Sequence, residues 1–161
     1  MQISFTIPGR LKGKGRHRSR ALSVRGKTFV QQYADPKTVS AEAMVRSIGA
    51  EAMRGRPPAE GPLVLDVEVT LNTPQSWSKK RKASAIYVTG KPDIDNVVKL
   101  LGDSLNGIAW GDDSQLCELH FRRTYSNGSG ESTRVRIYPP GQMADEYIAR
   151  STPLFADRAS A

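Results

Sequence analysis

The chain has 161 residues, 38% of them apolar and 25% charged, with a formal net charge of +8. That length suits one domain with a real core. No apolar run approaches the roughly 20 residues a bilayer span needs, residues 1–8 are too short and mixed for a signal peptide, and the one cysteine, Cys117, excludes an internal disulfide or a cysteine zinc cluster.

In residues 2–7, Ile3, Phe5 and Ile7 alternate with Gln2, Ser4 and Thr6, the pattern of a short strand ended by Pro8-Gly9. Such a strand suits a place inside one sheet as well as a contact between two copies. Residues 10–20 hold Gly13 and Gly15 and few apolar side chains, and read as a mobile loop. Residues 22–33 suggest a hairpin around Arg25-Gly26-Lys27. Asp35-Pro36 then signals a helix start, and Ala41, Val45, Ile48 and Ala52 follow at helical spacing until Gly55 and Pro57-Pro58. Leu63, Leu65, Val67, Val69 and Leu71 alternate with Val64, Asp66, Glu68 and Thr70 in the clearest strand of the chain.

Residues 73–90 read as a long polar loop around Trp77. A second helix is expected from about Asp93 to Leu105, with Ile94, Val97, Val98, Leu101 and Leu105 on one stripe and Asn106-Gly107 closing it. Residues 116–125 alternate as a strand with Cys117, Leu119, Phe121, Arg123 and Tyr125 on one face, and Cys117 reads as a small core residue. A turn at 126–130 leads to a returning strand at 133–138, stopped by Pro139-Pro140. Residues 1–140 are thus expected to form a single α/β (α+β) domain, a mixed sheet with helices packed on it, followed by a loosely held tail at 141–161.

The charge is unevenly spread. No Asp or Glu precedes Asp35, while Arg10, Lys12, Lys14, Arg16, Arg18, Arg20, Arg25 and Lys27 crowd the first loop and hairpin. Lys79, Lys80, Arg81 and Lys82 form a second block. Like charges this dense repel one another unless an anion is present, so the two blocks read as a phosphate-tracking surface whose affinity falls with salt. Trp77 beside the second block suits stacking on an unpaired base or, equally, anchoring its own loop.

Against this background stand Asp93, Asp95, Asp112 and Asp113, with Lys91 and Lys99. Carboxylates repel phosphate, and a divalent cation bridging the two removes the contradiction. Asp93 and Asp95 fall in a first helical turn, where an acid is also ordinary capping. Asp95, Lys99 and Asp103 share the polar face, so Lys99 is either an i,i+4 partner of Asp95 or a cation beside the metal and phosphate. Should the strand after Asp112-Asp113 pair near the helix start, these acids would reach Asp93 and Asp95. Trp110 is expected to pack beneath them. Gly26-Lys27-Thr28 fails as a phosphate loop because Ala21 stands where the first glycine is required. His17 and His120 lack ligand companions, and no Ser-His-Asp order supports a covalent nucleophile.

The run Lys91-Pro92-Asp93-Ile94-Asp95-Asn96-Val97-Val98-Lys99, then residues 103–107, then Asp112-Asp113-Ser114-Gln115, resembles the signature of the RusA family of crossover junction endodeoxyribonucleases. The likeness extends over about residues 2–138. It implies a homodimer that binds four-way (Holliday) DNA junctions and makes paired symmetric cuts with Mg²⁺, or Mn²⁺ in its place. It also implies essential acids at Asp93, Asp95 and Asp113 and an essential lysine at Lys99, with Asp112 as the neighbouring acid and the choice between Asp112 and Asp113 left open. The expected setting is the cytoplasm, at the nucleoid when DNA is bound. Two other readings stand beside it: a metal-dependent nuclease for flaps, forks or RNA, and a basic nucleic-acid-binding protein without catalysis. Leu154-Phe155 resembles the ending of sliding-clamp-binding peptides, although an isolated apolar pair is more often a docked chain end.

Overall fold

In the computed structural model, the described residues are 2–141 apart from Arg16, His17, Arg25, Gly26, Ala34, Asn127 and Ser129. The elements are β1 (Ile3–Pro8), β2 (Arg18–Val24), β3 (Lys27–Tyr33), α1 (Pro36–Met53), β4 (Leu63–Leu71), α2 (Lys79–Ser84), α3 (Ile94–Leu105), a single 3₁₀ turn (Asp113–Gln115), β5 (Leu116–Tyr125) and β6 (Ser132–Tyr138). β1, β6, β4 and β5 form a four-stranded sheet in that order, and β2 and β3 form a separate two-stranded one. The β4–β5 pair is parallel and the β4–β6 and β1–β6 pairs are antiparallel. The sheet is therefore mixed, as the sequence predicts.

Register explains the core. Ile3, Phe5 and Ile7 lie opposite Ile137, Val135 and Thr133, while Leu65 and Val67 lie opposite Ile137 and Val135 on the other side of β6. Opposed residues share a face, so one face is apolar, and it joins Val45 of α1 and Val97, Leu101 and Leu105 of α3 in a single core. Asp35 starts α1 by accepting the Lys37 N–H at 3.0 Å, with Pro36 at the first position. Gly49 lets α1 approach α3 closely: a Cβ there would lie 2.5 Å from Leu105 Cδ2. Trp110 is fully buried before the acidic turn, its Nε1 donating to Asn106 Oδ1 at 2.7 Å. No helix among the described residues is long and apolar enough to cross a membrane.

Four expectations change. Cys117 is exposed, not in the core. One residue on β4 (Leu63 to Val64) spans two on β5 (Leu116 to Glu118), so Cys117 is the extra residue of a bulge and drops out of the strand's alternation. The segment 73–90 is not all loop, because Ser78 caps α2 within it by accepting the Arg81 N–H. β6 does not return beside β5: it crosses to the far side of β4. The loop after β1 is docked over residues 10–15, as described below. The expected tail, with Leu154 and Phe155, lies beyond Gly141 and outside the described residues, as do Arg16, His17, Arg25 and Gly26.

The other face of the sheet is polar. Asp66 and Arg136 sit opposite one another on β4 and β6, 4% and 6% exposed, with Arg136 Nη2 2.8 Å from Asp66 Oδ2. The contact is an ion pair, and Asp66 Oδ2 accepts no well-directed hydrogen bond. Removing one member of a buried pair strands the other's charge. Arg136→Met is expected to lower the unfolding free energy by about 3–5 kcal/mol, and Arg136→Met with Asp66→Leu by clearly less, as read by denaturant titration.

Candidate active site

Helix α3 presents two faces because its apolar residues recur at helical spacing. Val97, Leu100, Leu101 and Leu105 are buried, while Asp95 and Lys99 are exposed. Ile94 and Val98, expected on the buried stripe, fall at its margin: Ile94 is 41% exposed and Val98 half-buried. Both border an open concavity of about 760 Å³ between α3 and β5, floored by Ile94, Val98, Leu116 and Leu119 and edged by Asp95, Lys99 and Asp113. Three of the expected site residues are thus brought to one trough.

Asp113 does not reach the start of the helix. Its Oδ2 would lie 3.4 Å from a Cβ at Gly102, and Gly102 is two turns beyond Asp95, about 10 Å along the axis. Lys99 stands between them. Gly102 escaped the sequence reading, yet a glycine inside a helix, costing about 1 kcal/mol relative to alanine, is a readable sign of a close approach. Among the described residues, no three His, Cys, Asp or Glu side chains are grouped closely enough to hold a metal ion. Asp95 or Asp113 singly, not the set together, fits a cation such as Mg²⁺, since that ion takes one or two carboxylates plus waters and substrate phosphate oxygens.

Neighbouring acids divide into committed and uncommitted groups. Asp112 caps the 3₁₀ turn, its Oδ1 accepting the Ser114 N–H at 2.9 Å, and the Ser114 hydroxyl first and this N–H second hold its carboxyl below the ordinary value. Gln115 completes the turn, its Oε1 accepting from Gly111 and Asp112 and its Nε2 donating to the Ala59 and Gly61 carbonyls. Asp103 is taken by Lys14, whose Nζ also lies 3.4 Å from Glu42. By contrast, Asp93 occupies the cap position of α3 yet makes no side-chain cap bond. The side chains of Asp93, Asp95, Asp113 and Lys99 have no hydrogen bond or ion pair among the described residues, so Lys99 is not an i,i+4 partner of Asp95.

Asp93 faces a second concavity, about 300 Å³, beside Arg10, Lys12, Lys14 and Lys91. The loop carrying these cations is tied to α3. The Lys14 N–H donates to the Asn96 carbonyl at 2.9 Å, and a Cβ on Gly13 would lie 2.7 Å from Asn96 Cβ. The segment entering α3 is held by two arginines on three successive carbonyls: Arg123 donates to Gly90 and Pro92, each at 2.6 Å, and Arg10 donates to Lys91 at 2.7 Å. Lys12 is exposed, whereas Lys14 and Arg10 are engaged within the molecule. In the second basic block, Arg81 lies 3.9 Å over the Trp77 ring and Lys82 donates to the Gln75 carbonyl, leaving Lys79 and Lys80 exposed. Trp77 also meets Tyr125 edge-on at 5.2 Å. Arg18 and Arg20 lie on β2.

Two outcomes follow. Arg123→Ala is expected to lower stability by about 1.5–3 kcal/mol, the usual worth of hydrogen bonds from a charged donor, and to speed amide exchange over residues 93–97. Asp103 raises the pKa of Lys14 above the ordinary lysine value, its hydrogen bond outweighing the opposing effect of burial. A raised folded-state pKa gives stability that is complete at neutral pH and lost only as pH climbs past that value. The stability difference between the native chain and Lys14→Met is therefore expected to stay level from pH 6 to 9 and shrink above about pH 10.5, as followed by denaturant titration.

The sequence matches the family model described as "Endodeoxyribonuclease RusA" over residues 8–138. It is also 34% identical over 144 residues to a Bacillus subtilis (strain 168) protein called "Uncharacterized protein YqaN", the match covering 84% of this chain and 93% of that one. The matched span runs from the end of β1 through β6, taking in the trough, the arginine clamp and both basic blocks, and the chain belongs to the RusA endodeoxyribonuclease family.

Proposed function

We propose that the chain is a divalent-metal-dependent endonuclease that resolves four-way DNA junctions by paired hydrolysis of phosphodiester bonds, in recombination and repair. The observation that carries this reading is the uncommitted state of Asp93, Asp95, Asp113 and Lys99, beside Asp103 and Asp112, which are bonded within the molecule. Carboxylates left without partners in so basic a chain suit a cation and a phosphate better than they suit capping. Family membership supports a nuclease acting on DNA.

Asp95, with Asp93 at the helix start, and Asp113 at the far end of the trough would each offer a carboxylate to a metal ion that takes its other ligands from water and substrate phosphate. A bound Mg²⁺ or Mn²⁺ supplies Lewis-acid polarisation of the phosphoryl oxygen and a water made more acidic. Lys99, between the two carboxylates, places a point charge against the negative charge growing on the phosphoryl oxygens. Ile94, Val98, Leu116 and Leu119 line the trough with apolar surface. Lys12, Lys79 and Lys80 are exposed cations available to the DNA backbone. Symmetric cuts need two such sites, hence a homodimer, working on nucleoid DNA in the cytoplasm.

A nicking assay on a synthetic four-way junction, beside flap and duplex DNA, tests the proposal. Asp93→Asn, Asp95→Asn and Asp113→Asn are each expected to lower cleavage at least ~100-fold, the scale of losing one electrostatic contributor, while junction binding persists. Lys99→Ala should slow cleavage more than it weakens binding. Asp112→Asn should keep both, because an asparagine oxygen still caps the turn. Cleavage surviving in all three aspartate variants would overturn the assignment, and cutting restricted to flaps would keep the site but change the substrate.

A further inference from the structure

The β2–β3 ribbon stands apart from the main sheet. Its strands, seven residues each, pair Leu22 with Phe29 and Ala21 with Val30. Successive residues of a strand point to opposite faces. Phe29 is 56% exposed and its neighbour Val30 70%, so neither face is covered at the middle of the ribbon. An isolated two-stranded ribbon is marginal in water, and a large aromatic and a valine uncovered on it point to an absent partner.

The ribbon is nonetheless firmly rooted. At its entry the Gly15 N–H donates to Thr38 Oγ1 at 3.0 Å and the Lys14 N–H to the Asn96 carbonyl. At its exit Asp35 caps α1. Both ends are therefore fixed beside the start of α3, next to Asp93. The partner's chemistry follows from charge. Residues 18–33 include Arg18, Arg20, Arg25 and Lys27 and no acid. Pairing this ribbon with its copy in a second protomer sets like charge on like charge. A DNA groove offers phosphate walls and an apolar stacked interior, and its roughly 12 Å width admits a two-stranded ribbon.

We propose, resting on the junction-resolving reading above, that the β2–β3 ribbon is a DNA-contacting arm and that Phe29 is an apolar wedge against an opened base step at the branch point. Bases at a branch are already partly unstacked, which lowers the cost of insertion. Lys27, exposed on the same ribbon, meets the flanking phosphate.

The test uses the full chain with Ca²⁺ in place of Mg²⁺ and a four-way junction carrying 2-aminopurine beside the branch. Binding is expected to raise the fluorescence. Phe29→Ala should remove at least half of that rise and weaken junction binding about tenfold, the scale of one lost base–aromatic stack, with duplex binding and melting temperature unchanged. Lys27→Glu should weaken junction and duplex binding together and reduce the salt slope by about one. A Phe29→Ala variant that behaves as the native chain overturns the wedge, and unchanged binding by Lys27→Glu overturns the arm. A change in sedimentation on Phe29→Ala would make Phe29 a contact between copies and also overturn the proposal. Junction binding without any fluorescence rise removes the wedge but leaves the junction reading intact. A native chain that binds no junction removes both.

Discussion

The site depends on how closely three segments approach helix α3, and at each approach a glycine leaves the room. Gly49 lets α1 come down on Leu105, Gly13 lets the basic loop lie on Asn96, and Gly102 gives the Asp113 carboxylate its seat. A methyl group at Gly13 or Gly49 would overlap atoms of α3 or force them aside, and packed interiors transmit such shifts. The helix is thus a fixed axis on which the core, the cation-rich loop and the acidic turn are mounted in register. Its buried face stabilises the fold, and its exposed face inherits that rigidity.

Rigidity is supplied at the helix start by different means. The carbonyls of residues 90, 91 and 92 are held by guanidinium groups from β5 and from the loop after β1. Hydrogen bonds from charged donors are worth more than neutral ones, and here they fix a segment that has no sheet or helix partner of its own. Arg10 thereby links a loop read as polyanion-binding to the backbone that presents Asp93. Substrate phosphate competing for Arg10 would be felt at that carboxylate through one residue.

Much of the arrangement was legible in the chain. The alternation of residues 3–7, 63–71 and 133–138 and the stripe of α3 follow from periodicity, which is local. The acids of α3 stood out because they oppose the sign of the rest of the chain. What was not legible is long-range or depends on a single bond. Lys14 and Asp103 are 89 positions apart, so nothing local separates that lysine from its neighbours in the basic loop. Asp112 and Asp113 carry the same chemistry, and only the hydrogen bond to Ser114 tells them apart. Cys117 has the spacing of a core residue until a bulge shifts it. The distance from Asp95 to Asp113 rests on where the acidic turn lands along α3, which spacing in the chain does not encode.

The position of β5 at the margin of the sheet has a consequence for the molecule in bulk. Residues 86–88 pair with its C-terminal end, at Arg123 to Tyr125, and among the described residues no strand covers the outer edge of its first half. An open edge is a template for another chain. No proline interrupts this one, and its bulge lies at the very beginning. Glu118, His120 and Arg122 alternate along it, and a second copy laid antiparallel about His120 would set Glu118 opposite Arg122, so charge does not guard this edge. Concentrated solutions are where this fold would begin to aggregate.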